Sequence, residues 1–160
     1  LDKQVKKELA DGIQESLGTI IRATAAILRG DADRYGITGA QYGMLKIVRA
    51  RGPITITELS RLMMIAAPTA SRMIEGLCEN GLLAKSRSES DSRVAMVSLT
   101  GEGERRIHHL GQVQRLAIEE ALEGEPEENL QFFIEFMSKL AERLAARAPR
   151  AASREKRENG

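Results

Sequence analysis

Tryptophan is absent from this 160-residue chain, which has only two tyrosines and three phenylalanines. So few aromatics argue against a stacking platform for single-stranded nucleic acid. A single cysteine, Cys78, excludes an intramolecular disulfide framework and any multi-thiolate zinc site. No apolar run approaches the ~18–20 residues of a membrane helix, and no signal-peptide pattern opens the chain. A cytoplasmic protein with no membrane partner is therefore expected. Glycine-rich phosphate loops, HExxH and GxSxG are missing too, and no nucleophile–base pair is legible. Neither enzyme chemistry nor a cofactor or metal is expected. The chain opens on Leu1 rather than Met, consistent with a start that is missing or processed. What remains is 42% hydrophobic and 29% charged, enough to bury the core of one domain or two small fused ones.

Net charge is only +1, but it is unevenly spread. Residues 1–37 are neutral, 38–100 carry +3, 101–135 carry −6 and 136–160 carry +4. A basic middle beside an acidic segment points to a polyanionic partner; solvated helix faces are the plain alternative.

Hydrophobic spacing predicts a helix over 4–29, with Leu9, Ile13, Leu17, Ile20, Thr24 and Ile27 on one stripe, ended by Gly30-Asp31. Thr38 and Gln41 have capping-box spacing and open a second helix, broken at Arg51-Gly52-Pro53. After a short extended piece at Ile54, Thr55 and Glu58 make a second box before a short helix ending near Met63. Pro68 opens the next helix, with Ala70, Met73, Ile74 and Leu77 on its apolar side and Asn80-Gly81 as its stop. Leu82 to Arg87 and Val94 to Leu99 read as the strands of a hairpin around the polar turn 88–92. Thr100 caps a long helix over about 101–122 that ends at Gly124. Pro126 opens a last helix with Leu130, Phe133, Ile134, Met137, Leu140 and Leu144 on one face. Residues 149–160 have almost nothing to bury and read as a disordered basic tail.

Short helix, tight turn, helix, strand, polar turn, strand is the order of a winged helix-turn-helix, whose second helix enters the major groove of double-stranded DNA. That helix opens Pro68-Thr69-Ala70-Ser71-Arg72. Thr69, Ser71 and Arg72 are hydrogen-bond donors, and Arg72 has the fork that reads guanine bidentately. Thr55 and Thr57, at the start of the preceding helix, are further candidate contacts. On the hairpin, Arg87 and Arg93 are candidate contacts; Arg93, at the polar tip, is suited to a narrow minor groove, with Asp91 placed to brace it by an ion pair.

Residues 58–106 resemble the multiple-antibiotic-resistance regulator (MarR) family. The marks are the A-P-T-x-S-R helix start, the E-N-G-L-L exit into a strand, the D-x-R wing and S-L-T-x-x-G leading into a long helix. With the flanking helices the resemblance covers about 5–147. It implies a mainly α fold with a small β-wing. It divides the chain into a winged helix-turn-helix over 38–100 and a helical dimerisation region from 1–37 and 101–148. It also implies a homodimeric transcriptional repressor, released from a pseudo-palindromic operator by a small phenolic or anionic aromatic ligand. Ala66 and Ala67 stand where relatives often carry polar residues, and Met63-Met64 replaces a common turn glycine.

The resemblance places an effector pocket among the first, second and fifth helices, where Ile21, Arg22, Tyr42, Leu45, Lys46 and His108 are the candidates. Their mix of apolar surface and cations suits a flat aromatic acid. His108 and His109 are adjacent, so on a helix they diverge by about 100° and make a poor metal pair. Two other readings remain at this point: a winged helix used only for protein–protein contact, and a repressor under redox control through Cys78.

Overall fold

The computed structural model describes residues 2–88, 91 and 93–148, with the side chain of Ala32 excepted. The expected tail at 149–160 lies outside the described residues, as do three positions of the wing turn.

Helix α1 spans Lys3–Arg34. Gly30 and Asp31 do not stop it, contrary to the sequence expectation, and the left-handed Gly36, at φ +63°, follows its end instead. Contacts made by its last turns explain the extension. Leu28 is buried, Asp31 meets His109, and Tyr35 packs edge-on against the same histidine. Helix α2 (Gly39–Arg51) starts from the predicted box: Gln41 N–H donates to the Thr38 hydroxyl, and the Gln41 side chain accepts the Thr38 N–H. Its buried residues, Tyr42, Met44, Leu45 and Val48, carry it into the core.

Ile54 and Thr55 form strand β1, and the hairpin consists of β2 (Leu83–Arg87) and β3 (Ala95–Leu99). The sheet order is β1-β3-β2, fully antiparallel, with Ile54 opposite Val97 and Lys85 opposite Val97 on the other side. The expected two-stranded hairpin therefore gains a third strand. Helices α3 (Ile56–Met63) and α4 (Ala67–Glu79) make the helix-turn-helix. Met64, between them, is the only non-glycine with positive φ (+55°) among the described residues. Helix α5 (Gly101–Ala121) leaves the sheet, and α6 (Glu127–Ala145) follows the turn at Gly124.

One core joins α2, α3, α4, the sheet and the first half of α5. Met44, Leu45, Leu59, Ile74, Leu77, Leu82, Val97 and Leu110 are each 0% exposed there. Each such aliphatic side chain contributes about 1.5–3 kcal/mol by leaving water. Apart from Leu28 and the first half of α5, the long helices stand outside this core. Of the exposed large apolar side chains among the described residues, all but Met64 lie on α1, α6 or the second half of α5 and the residue that follows it. The predicted stripe of α1 is in this class: Leu9, Ile13, Ile20 and Ile27 are exposed. Helix α6 buries no residue at all, and Phe132, Phe133, Ile134 and Phe136 face solvent. No helix among the described residues is long and apolar enough to cross a membrane.

Candidate DNA interface

Helix α4 has two chemically distinct sides. Ala70, Ile74 and Leu77 seat it in the core, while Pro68, Thr69 and Arg72 are exposed and Ser71 is half-buried. Ala66 caps it through backbone geometry alone, with no side-chain hydrogen bond, as two alanines at this point dictate. The first N–H groups of the helix are thus left without a side-chain acceptor, and they carry the positive end of the helix dipole. Thr55 acts locally, since its hydroxyl accepts the Glu58 N–H at 3.1 Å and caps α3. Only that half of the expected second box is made, and the Glu58 carboxylate lies 3.9 Å from Arg61 instead. Thr57 is exposed, and its carbonyl accepts the Ser60 hydroxyl at 2.8 Å.

The wing is tied to α4. Lys85 on β2 lies 3.7 Å from Glu75 on α4, a pair not anticipated from sequence because it joins two separate elements. Arg87 is exposed at the end of β2, and Ser88 N–H donates to the Val94 carbonyl at 2.9 Å. Asp91 and Arg93 are both exposed. Their contact differs from the expected ion pair: the Asp91 carboxylate accepts the backbone N–H of Arg93 at 2.9 Å. This is the local turn that aspartate habitually makes two residues on. The Asp91 carboxylate thus shapes the backbone of the turn.

Between the winged unit and the long helices, the first turn of α5 holds three neighbours. Thr100 caps it, accepting the Gly103 N–H at 3.0 Å and donating to the Gly81 carbonyl at 2.6 Å. Glu104 pairs with Arg49 of α2 at 2.9 Å. Arg106 lies over the Tyr35 ring, 5.1 Å from its centroid, and donates to the Tyr35 carbonyl at 3.4 Å. Glu102 bridges Arg106 and Arg105, and these hydrogen bonds, that of Arg106 foremost, hold its carboxyl below the usual glutamate range.

A cleft of about 580 Å³ opens between α2 and α5, within the size range of small-molecule sites. Tyr42 and Lys46 stand on it, with Arg49, Gln114 and Arg115 and an apolar floor at Ile107. The Tyr42 hydroxyl donates to Gln114 at 3.4 Å, and the Lys46 ammonium sits 5.6 Å from the Tyr42 ring centroid. Burial pushes the Tyr42 hydroxyl pKa up, with Arg49 opposing. The other pocket candidates are elsewhere. Leu45 is wholly buried in the core. Ile21 and Arg22 are exposed on α1, with Arg22 donating to the Thr19 hydroxyl at 3.0 Å. His108 is exposed on α5, outside the cleft lining. Arg49, Gln114 and Arg115 were missed because helical spacing marks them only once α2 and α5 are known to face each other.

Cys78 is half-buried, and its thiol pKa is raised, by burial first, with Lys85 opposing and Glu75 and Glu79 adding. A protonated thiol is a poor nucleophile at neutral pH. No group of three or more metal-ligating side chains occurs among the described residues.

Residues 37–95 match the MarR family. YwoH, an uncharacterized HTH-type transcriptional regulator of Bacillus subtilis (strain 168), is 34% identical over 88 residues, which cover 55% of this chain and 63% of YwoH. The chain thus spans under two thirds of that relative's length. YsmB, a regulator of the same description and organism, is 28% identical over 124 residues, covering 75% of this chain and 85% of YsmB. Among solved structures, a MarR family protein from Bacillus stearothermophilus superposes with a TM-score of 0.73 at 25% identity, over 90% of this chain and 98% of that one. The winged helix-turn-helix at residues 37–95 thus matches the model of the MarR family, and the chain shares its fold with a solved MarR family protein.

Proposed function

We propose that the chain is a homodimeric repressor that binds double-stranded DNA and is released by a small anionic aromatic ligand. The carrying observation is the division of α4. Its apolar side is locked in the core, while Thr69 and Arg72 are presented free at the end that meets base edges in this motif. The exposed Arg87 and Arg93 of the wing supply cations for the backbone or the minor groove. AbfR, which shares the fold at 21% identity and a TM-score of 0.65, has been solved bound to DNA.

The dimer rests on the exposed apolar faces of α1 and α6. A single chain leaves Phe133, Ile134 and Leu144 in water, and a two-fold pairing of long helices is the simplest way to cover them. The effector is placed in the α2–α5 cleft, where apolar floor and cations lie together. NadR, also of this fold at 20% identity, has been solved in complex with 4-hydroxyphenylacetate. Binding of a salicylate-like acid is expected in the millimolar to micromolar range, on the order of −4 to −8 kcal/mol. It acts only through a difference in affinity between the DNA-competent and released states. Electrophoretic shift of DNA from the gene's own upstream region, at two salt concentrations and with added salicylate, tests the reading. A salt-sensitive complex dissolved by the acid supports it. A dimer that retards no fragment more than random DNA overturns it in favour of a protein-contact module.

A further inference from the structure

We propose that Thr100 and the first turn of α5 form the joint that fixes the direction of the recognition helix, with Thr100 and Gly103 as positioning residues for operator reading. The inference rests on the dimeric, DNA-binding reading above. Capping α5 needs only the bond from Gly103 N–H to the Thr100 hydroxyl. The same hydroxyl, however, donates its one hydrogen across to Gly81, in the turn that leaves α4, at 2.6 Å. Thr100 N–H adds a bond to the Leu82 carbonyl at 3.1 Å. At Gly103 the two backbones touch: a Cβ there would sit 2.1 Å from the Leu82 oxygen. Nothing larger than glycine fits without parting them.

That turn is continuous with α4. Gly81 N–H donates to the Cys78 carbonyl and Leu82 N–H to the Leu77 carbonyl, each at 2.9 Å. Leu82 is wholly buried. On its other sides the first turn of α5 is bolted to α2 by Glu104–Arg49 and to the end of α1 by Arg106 on Tyr35. The joint therefore grips α4 at its C-terminal end, while the exposed Thr69 and Arg72 lie toward the opposite end. A 13-residue helix is about 20 Å long, so a rotation of about 5° at the joint moves the far end by roughly 1.7 Å. That is about half of the ~3.4 Å rise of one base pair. In a two-fold dimer the two displacements add, so the stiffness of this joint sets which half-site spacing is read.

Thr100→Asp separates capping from the bond across to Gly81. Aspartate caps a helix as well as threonine does, but it has no hydrogen for the Gly81 carbonyl. Thr100→Val removes both bonds, and Thr100→Ser keeps both. The probes are a duplex selected from a random pool by the wild-type chain and the same duplex with its centre lengthened or shortened by one base pair. Binding is measured below the unfolding transition of each variant. Expected is about a tenfold loss for Thr100→Asp on the selected duplex, a several-fold flatter preference among the three spacings and unchanged affinity for random DNA. Thr100→Ser should stay within about twofold of wild type. Retention of wild-type spacing preference by Thr100→Asp overturns the proposal, as does loss by one common factor on every duplex. If the wild-type chain selects no duplex, the DNA-binding reading itself falls, and the joint with it.

Discussion

The Asp91 carboxylate accepts the backbone N–H of Arg93 at 2.9 Å, so it shapes the wing turn and leaves the arginine side chain exposed. Arg93→Ala should spare folding, weaken binding to all sequences and reduce the salt slope by about one counterion. Titrations at several salt concentrations check this. Unchanged affinity and slope would remove Arg93 from the interface. Asp91→Ala should reproduce part of the loss, because it frees the turn that aims Arg93.

Arg72 stands on the exposed side of α4. Its replacement by alanine should cost about 1–3 kcal/mol on the best site and much less on random DNA. Equal loss on both would reduce its contact to phosphate.

The turn between α3 and α4 carries Met64 in the left-handed region, at φ +55°. An L-residue with a side chain loses about 1–2 kcal/mol there. Met64 is 57% exposed, so its replacement sacrifices little packing. Met64→Gly should raise the unfolding temperature, offset in part by the greater chain entropy of glycine. Calorimetry showing a lower Tm would assign Met64 a contact that outweighs its backbone strain.

Glu102 is held ionised by Arg106 and Arg105, which lowers its pKa. The stabilisation is therefore present above the ordinary glutamate range and is lost as pH falls through the lowered folded value. Glu102→Gln should lower stability at pH 7 by the small amount an exposed pair supplies and leave it unchanged at pH 3, which flattens the acid sensitivity by that amount. Unfolding curves compared between pH 7 and pH 3 read the difference.

Much of this was legible locally. The Thr38–Gln41 box, the cap at Thr100 and the stops at Gly52 and Gly81 depend on a few neighbouring residues, and each stands where the sequence places it. Most of what failed depended on distant partners. Gly30-Asp31 reads as a helix end, yet packing of Leu28, Asp31 and Tyr35 carries α1 to Arg34. Ile54 and Thr55 are too short a run to show strand alternation, and only β3 makes them a strand. Asp91 beside Arg93 suggests an ion pair because opposite charges are what a sequence displays, whereas the bond goes to the backbone. The periodic stripe of α1 is real in the sequence, but the described residues leave its Leu9, Ile13, Ile20 and Ile27 exposed.

That uncovered face makes assembly a sharp prediction. Leu140 on α6 is half-buried and Leu144 is exposed. Leu140→Asp or Leu144→Asp should therefore lower both dimer content and DNA affinity while sparing the winged core. Circular dichroism and sedimentation on the same samples separate unfolding from dissociation.

Cys78 offers the opposite expectation, because burial keeps its thiol protonated. Cys78→Ser should leave DNA binding unchanged with and without peroxide. Loss of peroxide-induced release in this variant would instead establish redox control.

The central claim is tested most directly by sedimentation velocity of the full chain with a labelled duplex selected from a random pool, at 50 and 200 mM salt. The account predicts two chains on each duplex, on a site of two half-sites about one helical turn apart, with affinity falling steeply between the two salts. A folded chain that sediments as a monomer, or a dimer that enriches no sequence from the pool, would contradict it.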